Sequence, residues 1–281
     1  MTIELGQFGV WTSYRAIGEE SAGDAATLAE RLGYGTFWLG GSPNPASLTP
    51  LLATTERLVA ATGIVNIWQT EPHMAAAETA QLQADYPDRF LLGIGVGHPE
   101  ATSDYKHPLK ATRDYLDGLD SAQRPVPPDT RCLAALGPKN LDLSRDRSLG
   151  THPYFTPVAH TRFARERVGS GKLVAPELAC VLDTDVERAR ATAREYAKLY
   201  LGLSNYTNNL LRFDFTEADI ADGGSDRLID AIIPHGSAEE IAAAAREHID
   251  AGADHVCLQS VGVRGVPVEQ WTELASALGL A

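Results

Sequence analysis

The sequence predicts an α/β protein folded as a (β/α)8 TIM barrel, in which eight parallel strands alternate with helices. Short apolar segments alternate with segments of helical periodicity along all 281 residues. No linker rich in proline, glycine or serine divides the sequence, and it contains no internal repeat. Such alternation favours a parallel sheet, and barrels commonly reach this length undivided. We therefore expect a single barrel domain over residues 1–281.

The first half of the chain supplies four strands and four helices. Helix ends are marked by proline or glycine, as at Gly33, Pro72 and Pro87. The expected strands are Gly6–Thr12, Thr36–Leu39, Thr62–Trp68 and one starting at Phe90, and the expected helices are 22–33, 47–60, 73–86 and 108–121.

The second half continues the alternation with one interruption. The expected strands are Cys132–Leu136, Gly150–Phe155, Leu173–Leu182 and His255–Gln259, and the expected helices are 138–145, 157–167, 186–202, 237–250 and 267–278. Residues 204–235 are polar and rich in asparagine and glycine, which indicates an insertion after strand seven. This insertion is expected to cover the barrel mouth or to support a dimer, with a plain surface excursion as the alternative.

The segment Phe90–Pro99 is a glycine-rich apolar strand that ends in a histidine and a proline. Counting from its first two glycines, the third glycine of a dinucleotide-binding fingerprint would fall on His98 or Glu100. An open doubly wound sheet would also need a glycine turn after the first strand, where Trp11–Tyr14 stands. We interpret the segment as a central barrel strand whose small residues let a flat ligand approach the backbone.

Composition excludes several classes of partner. The formal net charge of −13 argues against nucleic acid and anionic membranes, which bind basic surfaces. Cys132, Cys180 and Cys257 lie far apart in apolar stretches, which indicates buried reduced thiols and neither disulfides nor a zinc site. The sequence has no signal-peptide pattern and no apolar run near the roughly 20 residues of a membrane span. These features predict a cytoplasmic protein without a metal.

The expected strand ends, where barrel active sites form, carry few acids and bases. Glycine, amide and aromatic residues predominate, and the one acid, Asp183, fits a helix cap. These ends carry neither a lysine for a Schiff base nor an H-E-x-x-H motif. Such a mouth suits a cofactor that supplies the chemistry itself.

Several motifs resemble the bacterial luciferase-like superfamily. They are Phe90–Gly97 after Pro87-Asp88-Arg89, Ala134–Lys139 and Gly150–Phe155. Asn205–Arg212 and Ala251–Val256 resemble, more narrowly, an actinobacterial subgroup of F420-dependent oxidoreductases. The resemblance covers essentially the whole chain. It implies a luciferase-like barrel with an insertion after strand seven, a cytoplasmic homodimer, and a deazaflavin across the barrel mouth.

The resemblance also implies which residues contact the cofactor. In related deazaflavin enzymes, a bulge with a non-proline cis peptide in strand three backs the ring, and the glycine turn after strand five holds the cofactor phosphate. The matching residues are Gly63, Ile64, Val65 and Asn66 for the bulge, and Gly137, Pro138, Thr151 and His152 for the phosphate. We expect the cis bond at or next to Gly63-Ile64. The alternative for Gly137-Pro138 is a simple helix start.

The proton-handling residues depart from the family pattern. Sugar-phosphate dehydrogenases of the superfamily carry a histidine after strand two and a glutamate after strand four, where this chain has Gly41-Ser42 and His98. We expect His98 to be the catalytic proton donor, with Glu100 as its nearest competitor. The expected substrate pocket comprises Trp11, Ser42 and Trp68, although the two tryptophans fit the core equally well. The histidines expected at the surface are His73, His107, His160, His235 and His248.

The sequence thus predicts an F420-dependent oxidoreductase that exchanges a hydride between deazaflavin C5 and a small organic substrate. Two alternatives stay open. One is an FMN-dependent monooxygenase of the same fold, and the other is a non-catalytic protein that binds a flavin or deazaflavin. The expected partners are a small-molecule substrate and a second copy of the chain, with no nucleic acid and no membrane.

Overall fold

The computed structural model describes residues 3–101 and 105–280 and shows eight parallel barrel strands in sequence order. They are β1 Phe8–Ser13, β2 Thr36–Gly40, β3 Val59–Gly63 continued by Val65–Asn66, β4 Phe90–Gly95, β5 Arg131–Leu133, β6 Gly150–Thr151, β7 Leu173–Val174 continued by Glu177–Leu182, and β8 Val256–Ser260. A short strand, His235–Gly236, pairs with the end of β7.

The strand β7 closes the ring because its two parts pair with different neighbours. The first part pairs with β6 and the second with β8. Between the two parts, the Ala175 N–H donates to the Thr151 carbonyl at 2.9 Å, and the Pro176 carbonyl accepts from the Cys257 N–H at 3.1 Å. Pro176 has no N–H to donate, which interrupts the ladder there. The predicted (β/α)8 barrel is confirmed.

Helices cover the outside of the barrel with their apolar faces toward the sheet. In Ala22–Arg31 the four buried residues are alanines at helical spacing. The other helices are Tyr14–Ile17, Thr49–Ala53, Pro72–Asp85, Pro108–Asp120, Pro138–Arg147, Val158–Val168, Val186–Leu201, Ser204–Leu210, Glu217–Ile220, Asp226–Ile232, Ala238–Asp250 and Val268–Leu278.

The second predicted helix, 47–60, is too long, and the third strand begins earlier than predicted. The helix ends at Ala53 and β3 starts at Val59. The Glu30 carboxylate accepts the N–H groups of residues 56–58, at 3.0, 2.6 and 2.8 Å, so these groups are not available for helical bonds. A side chain distant in sequence therefore sets this boundary.

Strands five and six are shorter than predicted. After β6, Pro153 lacks an N–H, and Phe155 has a left-handed φ of 56°, which a strand does not accommodate. The strand therefore gives way to a turn before the helix Val158–Val168 begins.

The glycines of β4 make room for β3. A Cβ built on Gly93 would lie 2.0 Å from the Thr62 carbonyl oxygen, and one on Gly95 would lie 2.6 Å from Ile64 Cδ1. A Cβ built on Gly97, just after β4, would lie 2.9 Å from Asn66 Nδ2. Residues of β3 and its continuation occupy this space, so the expectation that these glycines admit a flat ligand is wrong.

The 204–235 segment contains three short helices despite its polar composition. Its buried residues, among them Tyr206, Leu228 and Ile229, form an apolar cluster with Ala189 and Ala193 of the helix Val186–Leu201. The segment therefore carries packing residues of its own.

The three cysteines are buried and free, as predicted. Within residues 3–101 and 105–280, no helix combines the length and the apolar character that a membrane span requires.

Candidate active site

The indole of Trp11 packs against the ends of β2 and β3 at the C-terminal side of the barrel. A Cβ built on Gly40 would lie 2.1 Å from its Cη2, and one on Gly63 would lie 2.7 Å from its Nε1. These glycines, the last residues of their strands, leave the space that the indole fills. The peptide bond Gly63–Ile64 is cis, as predicted.

His152 follows β6 and is 1% exposed. Its Nδ1 donates to the Ala175 carbonyl at 2.7 Å, and its ring stacks on Trp38 with centroids 4.0 Å apart. Burial lowers the pKa of His152 to about 4, so the ring is neutral and its Nε2 is an acceptor. Neither this Nε2 nor Trp11 Nε1 has a partner among the described residues, and both lie near Gly63. An acceptor and a donor thus converge at the end of β3.

Thr151 is fully buried in the barrel wall. Its hydroxyl lies 3.1 and 3.3 Å from the carbonyl oxygens of Leu133 and Ala135, which share its one proton, and so joins β6 to β5. A phosphate contact through this hydroxyl would compete with those bonds. Cofactor contact by Thr151 and His152 stays a prediction.

Gly137 is the N-cap of the helix Pro138–Arg147, which has no side-chain cap. A Cβ built on Gly137 would lie 3.3 Å from Nη1 of Arg212, so the guanidinium lies beside the helix start. None of the ion pairs among the described residues includes Arg212. Asn209 lies about one helical turn before Arg212 in the chain and is 1% exposed. Neither polar atom of its amide has a hydrogen-bond partner among the described residues. The arrangement favours an anion.

His160 and His248 are buried, so the prediction that they lie at the surface is wrong. His160 donates from Nε2 to the Leu136 carbonyl at 3.0 Å, directly before Gly137. His248 Nδ1 lies 2.8 Å from the Thr161 hydroxyl. Burial lowers the pKa of each to about 4. Both imidazoles therefore serve as neutral hydrogen-bonding groups.

His98 and Glu100 contact the 204–235 segment. His98 Nδ1 lies 2.8 Å from Asn205 Oδ1; because an amide oxygen only accepts, Nδ1 carries the proton and Nε2 is left for proton exchange. Glu100 Oε1 accepts from the Ser204 N–H at 3.0 Å, and this bond lowers the pKa of Glu100. An ionised Glu100 suits a proton acceptor better than a donor.

The other predicted pocket residues lie on the strand-two and strand-three ends. Asn66 is buried and accepts from the Trp68 N–H at 3.0 Å. Trp68 donates from Nε1 to the Val96 carbonyl at 2.7 Å, which links it to the end of β4. Ser42 is half-buried with a φ of 60°. A role of Trp68 or Ser42 in substrate binding stays a prediction.

Glu177 and the tyrosines around it were not among the predicted site residues. Glu177 faces the barrel interior from β7 and is 1% exposed. The signal was present in the sequence, because Glu177 is the one acid inside the apolar segment Leu173–Leu182. The surrounding hydroxyls belong to Tyr154, Tyr196 and Tyr200, which meet near Gln259.

Two surface clefts lie apart from the predicted residues. One of about 500 Å³ lies between the end of β7 and the helices Ala238–Asp250 and Val268–Leu278, and one of about 520 Å³ lies beside the helix Val186–Leu201. Among the described side chains, no group of three or more histidines, cysteines or acids could hold a metal ion. The donor of Trp11 and the acceptor of His152, which converge at the end of β3, therefore mark a better candidate site than either cleft.

Residues 5–255 match the model of the luciferase-like monooxygenase family. The chain belongs to this family. Membership makes the chain an oxidoreductase of the luciferase-like type. A comparison with curated proteins gives no match.

Solved structures similar to this luciferase-like chain include enzymes with two kinds of cofactor. An F420-dependent secondary alcohol dehydrogenase with an F420-acetone adduct is 15% identical, with a TM-score of 0.77 over 99% of both chains. A coenzyme F420-dependent tetrahydromethanopterin reductase from Methanopyrus kandleri is 14% identical, with a TM-score of 0.73 over 98% of this chain and 99% of that one. The FMN-bound oxygenating constituent of a diketocamphane monooxygenase from Pseudomonas putida is 13% identical, with a TM-score of 0.64 over 99% and 96%. At such low sequence identity, these structural similarities show a shared fold and no more.

Proposed function

We propose that this luciferase-like chain is an F420-dependent oxidoreductase that exchanges a hydride between deazaflavin C5 and a small organic substrate. The observation that carries the proposal is Arg212 beside the uncapped helix start at Gly137. In a chain of net charge −13, an arginine outside the described ion pairs at an anion-binding position fits a cofactor phosphate.

The wall of the mouth fits the ring of such a cofactor. Trp11 offers a flat apolar surface and a donor, Nε1, and His152 offers an acceptor, Nε2, nearby. Neither atom has a hydrogen-bond partner among the described residues. Gly63 to Asn66 border this wall from β3. Ring systems with carbonyl and N–H groups on one edge match a paired donor and acceptor.

The chain's own residues would handle the proton that accompanies hydride transfer. When bound, the reduced deazaflavin supplies the hydride. A substrate carbonyl or imine that accepts it also needs a proton, which His98, when protonated on both ring nitrogens, would give from Nε2 while its Nδ1–H stays bonded to Asn205. In the reverse direction, the same Nε2 would accept the proton.

Titration with F420 and with FMN tests the proposed cofactor. We expect F420 to bind at least about tenfold more tightly, a difference of about 1.4 kcal/mol. Fluorescence or calorimetry on the purified protein would measure both affinities. Tighter binding of FMN would favour the second candidate, an FMN-dependent monooxygenase, which the family and the FMN-bound neighbour support. Tight binding of F420 with no turnover on alcohols, ketones, imines or enones would favour a binding protein.

Substitutions at the helix start test the anion site. We expect Gly137→Val to weaken F420 binding, because its side chain would displace the guanidinium of Arg212. Arg212→Gln should weaken binding by about tenfold or more, since it removes a charge-assisted bond. Calorimetry measures the affinity, and Arg162→Gln, at a helix-borne arginine elsewhere, is the matched control. If both variants bind normally and only the melting temperature falls, Gly137 merely begins a helix.

A further inference from the structure

Glu177 is a buried carboxyl group, 1% exposed. None of the ion pairs among the described residues includes it. One of its oxygens, Oε1, has no hydrogen-bond partner among the described residues. A buried acid of this kind is costly as an anion, because burial removes its hydration.

Glu177 holds the turn that follows β6 from two sides. Its N–H donates to the Pro153 carbonyl at 2.9 Å, and its Oε2 accepts from the Phe155 N–H at 3.3 Å. Phe155 has a φ of 56°, a conformation that a bulky side chain adopts only when its surroundings impose it. The backbone and the side chain of Glu177 together stabilise this turn.

The turn places Tyr154 against the wall of the candidate site. The ring centroid of Tyr154 lies 5.2 Å from that of Trp11. The Tyr154 hydroxyl bonds to Tyr196, Tyr200 and Gln259, at 2.7, 2.9 and 2.9 Å. Glu177 is thus connected to Trp11 through one turn and one aromatic contact.

Among the residues that the structure describes, the groups that face Glu177 carry no positive charge. The titratable ones are Tyr154, Cys180, Tyr196, Tyr200, Tyr206 and Cys257, from the β6 turn, β7, β8 and the two helices after β7. Burial raises the pKa of Glu177 to about 8, although the Phe155 N–H and the Tyr196 hydroxyl act in the opposite direction. The carboxyl is therefore protonated at neutral pH.

We propose that Glu177 is a positioning residue that acts as an uncharged acid, holding the Pro153–Phe155 turn and, through Tyr154, the Trp11 wall of the cofactor site. The inference deepens the proposed function and rests on it for its link to F420. Ionisation of Glu177 would bury a charge that the Phe155 N–H and the Tyr196 hydroxyl compensate only in part, so the turn would have to rearrange to hydrate the carboxylate.

Glu177→Gln tests the proposal because glutamine is nearly isosteric and stays neutral at every pH. At pH 7 we expect its F420 affinity to lie within about twofold of the unsubstituted protein, whereas Glu177→Ala should lose about tenfold or more. From pH 7 to pH 9, the unsubstituted protein should lose affinity by about fivefold or more, and Glu177→Gln should show no such loss. Glu195→Gln, which alters an exposed glutamate, should follow the unsubstituted protein.

The near-ultraviolet circular dichroism of the cofactor-free protein provides a second measurement. We expect the aromatic signal to change between pH 7 and pH 9 in the unsubstituted protein and to stay constant in Glu177→Gln. If Glu177→Gln binds F420 as poorly as Glu177→Ala at pH 7, or retains the pH-dependent aromatic signal, the proposal is wrong. If no variant binds F420, the proposed function fails, while the aromatic signal still decides the role of Glu177.

Discussion

Acidification from about pH 6.5 to pH 4 is expected to unfold the protein. His152, His160, His248 and His255 are at most 1% exposed, and burial lowers the pKa of each from 6.5 to about 4. In the unfolded chain they take up protons below about pH 6.5, whereas in the folded protein they stay neutral until about pH 4. Their contribution to stability is therefore complete above pH 6.5 and is lost as the pH falls.

Glu177 opposes this trend. Its folded-state pKa of about 8 lies above the ordinary value of 4.5, so the folded protein binds its proton while the unfolded chain does not. Near pH 5.5 the unfolded chain therefore binds three more protons in net terms, four histidine protons against one on Glu177. That difference corresponds to about 4 kcal/mol of unfolding free energy per pH unit. Over the roughly two pH units in which this difference persists, the loss is about 8 kcal/mol, which is comparable to a typical total stability of about 5–15 kcal/mol.

Urea unfolding at pH 7, 6 and 5 measures this dependence. We expect His248→Asn to reduce the slope of unfolding free energy against pH by about 1.4 kcal/mol per unit, whatever its effect on total stability. His107→Asn alters an exposed histidine and should leave the slope unchanged. A stability that stays level from pH 7 to pH 5 would show that these histidines are not held neutral.

His98→Ala is expected to lower turnover by about 10²–10⁴-fold, the usual contribution of a positioned proton donor. Its Nε2 is left for the substrate because Nδ1 is bonded to Asn205. Glu100, the competitor, is bonded to the Ser204 N–H, which favours its ionised form. We expect F420 affinity to change by less than about tenfold, since the loss falls on the transition state.

Steady-state kinetics on an identified substrate, together with a cofactor titration, test this role. His73→Ala, which alters an exposed histidine on Pro72–Asp85, is the matched control and should retain full turnover. Asn205→Ala should give a smaller loss than His98→Ala, with a shifted pH profile, because it leaves the imidazole in place. Unchanged turnover in His98→Ala would assign the proton to Glu100 or solvent, and loss of F420 binding would make His98 a ring contact.

The sequence predicted the barrel because its strands and most of its helices carry strong local patterns. Proline and glycine mark the ends of elements such as Pro72–Asp85 and Pro138–Arg147, and the structure places them there. The boundary between 47–60 and the third strand was mistaken, because it depends on Glu30, a residue of another helix. Local periodicity does not contain such a contact.

The site was predicted less completely than the fold. The cis bond at Gly63–Ile64 was predicted from family resemblance. The approach of Arg212 to Gly137 was not predicted, because it depends on how the 204–235 segment folds back. The burial of His160 and His248 was missed because helical position alone does not show which face a residue occupies. Glu177 was not predicted because it lies at the start of the second part of β7, whereas barrel sites are expected at the carboxyl ends of strands.

The fit between β3 and β4 bears on how such barrels diverge. Thr62 and Ile64 take the space that side chains at Gly93 and Gly95 would need. A lineage that gains a side chain at either glycine must therefore also reshape the facing part of β3. The two strands should vary as correlated pairs of positions, and a graft of β4 into another barrel would have to bring residues 62–66 with it.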